Sequence, residues 1–297
     1  MNVTIIGLGL IGGSIAKDLR KAKFATHLTG VESNSHHAEE ALQLNLIDQV
    51  LPLDQAVRKA DMVILAIPVD KILQLLPLIL DMIPEGTTVS DMGSTKKTIA
   101  EEVEKHPKRR NYIAAHPMSG TENSGPSAAM EGLFANKITI ICDQEKSGPQ
   151  HLALVEKMFQ ALGMNIAYMS SDEQDHSTAF ISHLPHAAAF ALANAVQVKE
   201  DRSIIFDLAS GGFQSTVRLA KSSTEMWGPI FQQNKAYVVE SLEVYIRHLN
   251  ELKDSIQHNE SKMYELMNHA NKIREVLDGE NPSLIKNEET IIKFYTK

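Results

Sequence analysis

Short apolar, β-branched runs alternate with amphipathic stretches through the first half of the chain. Residues 3–6, 28–31, 62–67, 87–90, 112–115 and 138–142 read as strands. Helix-compatible segments lie between most of them, at about 14–21, 34–44 and 95–104. Such alternation predicts an α/β fold, a doubly wound parallel sheet with helices on both faces. In sheets of this kind ligands sit outside the carboxyl ends of the strands. Those ends are where chemistry is to be sought.

From about Ser170 the alternation gives way to long helical periodicity. Ser171, with Gln174 three residues on, reads as a capping box at the start of a helix. Pro185 sits inside the same pattern and should kink that helix or begin a new one. A second capping signature, Ser222-x-x-Glu225, precedes another long helix. There Val238, Leu242, Tyr245, Leu249, Leu252 and Ile256 recur at spacings of four and three. This heptad-like seam needs a second helix to cover it, from the same chain or from a partner.

The first strand ends in Gly7-Leu8-Gly9-Leu10-Ile11-Gly12, a full G-x-G-x-x-G match. Gly7 permits a tight turn, Gly9 lets the backbone approach a pyrophosphate, and Gly12 lets the helix lie close to the strand. With Leu10 and Ile11 between them, they open a helix whose free amides point at the phosphates. Glu32, about twenty residues on at the end of the second strand, completes a dinucleotide fingerprint. A carboxylate there bonds ribose hydroxyls and repels a 2′-phosphate, and Ser33 and Asn34 supply no arginine, so the expected cofactor is NAD. The expected organisation is a Rossmann-type dinucleotide-binding domain over 1–168, an all-α domain over 169–279 and a tail over 280–297.

Composition narrows the function classes. A length of 297 residues favours two domains. A net charge of −8 offers no basic excess for nucleic acid, though a few focused cations can still hold a small anion. The single cysteine, Cys142, allows no intrachain disulfide and suggests a reducing, cytoplasmic setting. The start lacks a basic leader, and the longest apolar run, ILQLLPLIL, is too short to span a bilayer, so no membrane association is expected.

The strand at 112–115 runs straight into His116, and Pro117 biases that histidine toward extended backbone. The switch-point rule then puts the imidazole beside the nicotinamide end of the cleft, where a neutral ring could accept the proton of a substrate hydroxyl. Ser94, in the polar strand end DMGSTK, is its candidate helper and a rival N-cap for the next helix. His183 and His186, three apart in SHLPH, invite a metal reading together with His176. No carboxylate or cysteine at suitable spacing completes a set, and no metal is expected. Arg218, preceded by Gly211-Gly212, suits bidentate recognition of a carboxylate.

Taken together, GLGLIGGS, DMGSTK, HPMSGTE, SHLPHAAAFAL and SGGFQSTVRLAKSSTEMW, in order over about residues 1–255, resemble the prephenate dehydrogenases. The resemblance implies NAD-dependent oxidative decarboxylation of prephenate to 4-hydroxyphenylpyruvate by a homodimer built through the helical domain. It implies that His116 hydrogen-bonds the ring C4 hydroxyl, with Ser94 as its partner there. Arg218 would hold a substrate carboxylate, His183 and His186 would line the substrate pocket with Gly212 among the binding residues, and Glu122 would join a polar network at the entrance. Ser119, Ser210 and Thr95 depart from the commonest family residues. The chain is also too short for the regulatory domain some members carry, so any tyrosine inhibition is expected to compete at the active site. Rival readings are an arogenate dehydrogenase, a β-hydroxyacid dehydrogenase and a non-catalytic NAD sensor.

Overall fold

A computed structural model describes residues 1–198 and 210–277 of the chain. The proposed tail over 280–297 lies outside the described residues. Eight strands make one sheet: β1 (Asn2–Ile6), β2 (His27–Val31), β3 (Gln49–Val50), β4 (Met62–Leu65), β5 (Thr88–Asp91), β6 (Tyr112–Pro117), β7 (Ile138–Cys142) and β8 (Asn165–Met169). Their order is β3-β2-β1-β4-β5-β6-β7-β8, so the strand order reverses between β1 and β4. All six strands read from the sequence are present, and β3 and β8 join them.

The sheet is parallel except at one place. β6 and β7 pair antiparallel, with Ala115 opposite Ile141 and His116 opposite Ile140. The connection between them contains only a short 3₁₀ turn, Pro126–Ala128, and no crossover helix. A parallel neighbour would need such a crossover, so the chain returns in the opposite sense.

The helices α1 (Leu10–Lys21), α2 (Ser35–Gln43) and α6 (Pro149–Ala161) cover one face through Ile15, Leu19, Ala41 and Phe159. On the other face α3 (Leu53–Val57), α4 (Val69–Met82) and α5 (Lys97–Glu102) pack through Val57, Ile72, Leu76 and Ile99. The apolar run ILQLLPLIL lies in α4, whose inner side is buried against the sheet. Burial on both faces accounts for strands that read as continuous apolar runs rather than alternating ones.

The second half is helical: α7 (Ser171–Thr178), α8 (Leu184–Gln197), α9 (Gly211–Val217), α10 (Thr224–Gln233), α11 (Lys235–His258), α12 (Glu260–Asn271) and α13 (Ile273–Leu277). A π-helical turn, Ala179–His183, joins α7 to α8, and Pro185 stands in the first turn of α8. The missing proline N–H costs least there, and the widened turn before it absorbs the ring. Trp227 and Ile230 of α10 enter the core beside α4, which ties the helical part to the sheet.

Three capping expectations shift. The capping box at α7 is Ser170 with Glu173, one residue earlier than expected, which leaves Gln174 free and buried. The helix α10 begins after Ser223, without a side-chain cap, and Ser222 ends the 3₁₀ turn before it. Ser94 caps nothing. The carboxylate of Asp175, on α7, instead accepts the amides of Lys96 and Lys97 at 2.7 and 3.0 Å, and so holds the start of α5.

On α11 the heptad seam is buried at Val238 and then emerges, with Leu249 46% and Ile256 62% exposed. Among the described residues, Tyr245, Leu249 and Ile256 of its far half stay exposed, while Leu252 is half-buried.

Candidate active site at the strand ends

Each glycine of the turn after β1 has its own physical reason. Gly7 has a φ of +89°, and a Cβ there would meet Ala66 O at 2.5 Å. A Cβ on Gly12 would lie 1.9 Å from Gly7 O, so helix and turn touch backbone to backbone. Around Gly9 the nearest atom to such a Cβ is Gly125 N at 3.8 Å, which leaves this side of the loop open. Gly9 precedes α1 without a side-chain cap, so the amides at Leu10 and Ile11 remain available to a ligand. Glu32 accepts from Leu8 N and Asn34 N, both at 3.0 Å, and this fixes its carboxylate between the turn and the start of α2. A cradle open at one glycine, closed at another and edged by a held carboxylate fits a dinucleotide.

His116 ends β6 on the same edge of the sheet and is 8% exposed. Its Nδ1 lies 2.8 Å from Gln174 Nε2, and the same amide nitrogen donates to the backbone carbonyl of Ser94 at 3.1 Å. Ser94 therefore reaches the histidine through its carbonyl and Gln174. Burial first, then the neighbouring Lys96 cation and His183, lower the His116 pKa to about 3. The ring is neutral at any physiological pH.

Beneath His116 lies a fully buried ionic knot. The Lys96 ammonium pairs with Asp91 and donates to Ala115 O at 2.9 Å, next to the histidine. Asp91 also accepts from the Tyr112 hydroxyl at 2.7 Å and from Gly93 N at 2.9 Å. Satisfied on several sides, the pair is tolerable in the interior and holds the ends of β5 and β6 together.

The other wall comes from the helical part. His183, fully buried, has Nδ1 3.0 Å from Asn234 Nδ2, which also donates to Asp175 O at 2.6 Å. Its pKa falls to about 4 through burial, then His186. His186 stacks on Trp227 at 3.5 Å between ring centroids, and its Nδ1 donates to Ser182 O at 2.9 Å. Arg218 lies close enough for its charge to bear on His186, and it pairs with Glu122 at 3.1 Å. The residues from His116 to Glu122 thus form one connected tract. Gly212 sits apart on α9, where its carbonyl accepts from Ser215 and Thr216 and a Cβ would meet nothing within 4 Å. His176 is engaged elsewhere, with its ring against Tyr237 and Phe180 and its Nε2 3.7 Å from Glu240.

The sequence reading assigned no site role to Gln174, Asn234, Lys96 or Asp175. Two of the atypical residues also acquire partners: Thr95 Oγ1 donates to Gln233 at 2.7 Å and Ser119 Oγ to Leu133 O at 2.8 Å. The buried wall carries polar atoms without partners, among them His183 Nε2, Trp227 Nε1 and Gln174 Oε1. Interiors rarely leave such atoms unpaired, and they suit a polar ligand.

Comparison with known proteins gives a consistent result. The nucleotide-binding domain of prephenate dehydrogenase matches residues 15–168, and the prephenate dehydrogenase dimerization domain matches 170–272. A Bacillus subtilis prephenate dehydrogenase is 30% identical over 264 residues, 88% of this chain and 71% of that one. The structure of A. aeolicus prephenate dehydrogenase in complex with hydroxyphenyl propionate and NAD+ superposes with a TM-score of 0.84 at 30% identity, covering 94% of this chain and 98% of that one. The structure of a Synechocystis arogenate dehydrogenase gives 0.76 at 29% identity, over 93% and 99%.

Proposed function

The chain belongs to the prephenate dehydrogenase family, and on that footing we propose that it oxidises prephenate with NAD to 4-hydroxyphenylpyruvate, carbon dioxide and NADH. The observation that carries the proposal is a neutral, buried His116 at a strand end, joined through His183 and His186 to an arginine–carboxylate pair. Gly7, Gly9, Leu10, Ile11, Gly12 and Glu32 would hold the nucleotide, and NAD bound there supplies the hydride acceptor.

The chain's own residues then have three tasks. His116 hydrogen-bonds the C4 oxygen and orients the carbon that loses hydride, with Ser94 beside it. Arg218 takes a carboxylate, and exchanging its Glu122 contact for the substrate leaves Glu122 at the rim. His183 and His186, neutral and set around Trp227, line the pocket without adding charge. As hydride leaves C4 with its electron pair, the bond from the ring to its carboxylate breaks and its pair enters the ring. The products are CO2 and a phenol whose oxygen keeps its proton. Positioning and electrostatics carry such a reaction, and aromatisation drives it.

A homodimer joined along the exposed α11 seam belongs to the same reading. Arogenate is the second reading, because the Glu122 carboxylate beside Arg218 offers a partner for the ammonium that arogenate carries in place of a ketone. Rates of NAD and NADP reduction, with prephenate and arogenate side by side, test the proposal. Faster turnover of arogenate would move the assignment to the second reading, and turnover of neither would remove both.

A further inference from the structure

The connection from β6 to β7 does more than reverse the chain. Past His116 it carries Glu122, the partner of Arg218, and then runs over the start of α1. Gly125 N is the nearest atom, at 3.8 Å, to the place a Cβ on Gly9 would take, and a Cβ on Gly13 would lie 2.7 Å from the Ala129 Cβ. Beyond that point α1 holds the strap. Ser14 Oγ accepts from Met130 N at 3.0 Å, and Asp18 Oδ1 accepts from Gly132 N at 2.9 Å. Lys17 Nζ donates to Ala129 O at 2.7 Å, and Lys21 pairs with Glu131. Positions 14, 17, 18 and 21 lie on one face of a helix, so a single polar stripe on α1 grips this loop.

Gly125 is the bend in the strap. Its φ of +84° favours glycine, and it leads into the 3₁₀ turn at Pro126–Ala128. Its carbonyl accepts from Ala128 N at 3.3 Å, while its N–H donates to none of the described residues. Apart from chain neighbours, nothing else stands within 4 Å of the Cβ place on Gly9, so two glycine backbones face one slot with no side chain in it. We infer that Gly125 is a further cofactor-binding residue, whose N–H meets the pyrophosphate of the dinucleotide from the strap as the amides of Leu10 and Ile11 do from α1. Backbone N–H groups suit phosphoryl oxygens, and a glycine lets them approach closely. An oxygen seated where the Gly9 Cβ would stand lies about 1 Å beyond hydrogen-bonding reach of Gly125 N, a gap that a strap bending at glycine closes. The inference rests on the nucleotide half of the proposed function and not on which substrate is oxidised. Its consequence reaches the other half. Glu122 stands just before Gly125, so a dinucleotide that draws Gly125 in also fixes Glu122 against Arg218.

Exchange of Gly125 for glycolic acid in the full-length protein, by cell-free synthesis, replaces the N–H by an ester oxygen and keeps the freedom in φ. Calorimetric titration with NAD and with ADP-ribose should then show affinity lowered ~10-fold, whereas adenosine, which carries no phosphate, should bind both proteins alike. NAD affinity unchanged in the folded ester protein would overturn the inference. A second measurement needs only wild-type protein. Labelling with carbonyl-¹³C serine and ¹⁵N glycine selects the Ser–Gly amides, and Gly125→Ala identifies the one at 125. Its proton should move downfield on addition of ADP-ribose, as an N–H does on meeting an anionic oxygen, and a signal that stays in place under saturating ligand would equally refute the assignment. Protein that binds no NAD would remove the nucleotide reading together with this inference. Tight NAD binding with both readouts unmoved would remove the role of Gly125 alone.

Discussion

Two histidines held neutral inside the fold should make this protein acid-labile in a calculable way. His116 and His183 have folded pKa values of about 3 and about 4, against 6.5 when exposed. The unfolded chain therefore takes up protons first, and stability present above pH 6.5 is lost as pH falls toward 4 and then 3. Each pH unit in that window is worth about 1.4 kcal/mol per group, so lowering the pH from 7 to 5 removes about 2 kcal/mol for each histidine. Asp175 works in the other direction. Burial first, opposed by its two backbone bonds, raises its pKa to about 6 from 3.8, so the folded chain binds that proton first and regains about 1 kcal/mol at pH 5. The three together predict a net loss of about 3 kcal/mol. The perturbation is His116→Gln, and the assay is urea unfolding at pH 7 and pH 5 at one fixed protomer concentration, because a dimer's stability depends on it. The variant should lose about 2 kcal/mol less than wild type between the two pH values, whatever its stability at pH 7. An equal pH dependence in both proteins would show that His116 is not buried in its neutral form and would remove the basis of the proposed chemistry.

Further outcomes follow from the same geometry. His116→Asn should lower kcat by ~10²–10⁴-fold while NAD affinity, read by fluorescence titration, stays within ~3-fold. Arg218→Ala should act mainly on the substrate, raising KM by at least ~10-fold with a smaller change in kcat. Gly12→Ala would drive a methyl into Gly7 O, and urea unfolding should register a loss of about 3 kcal/mol. Leu249→Asp on the exposed seam should shift the protein toward monomer in sedimentation velocity, whereas an unchanged dimer would place the interface elsewhere.

The sequence revealed what is local. Strand runs buried on both faces, the glycine turn and the acid after β2 depend on neighbours a few residues apart, and each was found within a residue or two. β3, with two residues, is too short to carry a pattern, and β8 follows α6 in a stretch whose periodicity is weak. The site was half legible. His116 stood out because an imidazole ends an apolar strand, but its partner Gln174 lies 58 residues on, in a helix whose sequence SDEQDHST reads as solvent-facing. A one-residue error in the capping box had also assigned that glutamine to a helix end. Lys96, which the sequence offers only as one residue of the polar strand end DMGSTK, is fully buried because Asp91 and the Ala115 carbonyl receive it, and no spacing rule announces a knot tied across two strands. Asp175 caps a helix 79 residues away, which no local signature can encode.

That last contact changes what a domain boundary means for this chain. Residues 1–168 look severable, but a fragment ending there would lose the carboxylate that receives the first amides of α5 and the amide that grips His116. Its nucleotide cradle would remain complete in covalent terms while the adjoining helix frayed and the histidine turned freely. Such a fragment should bind nucleotide better than it orients anything beside it. Gene fusions or splits that respect the apparent joint would thus produce a competent holder of cofactor without a competent enzyme.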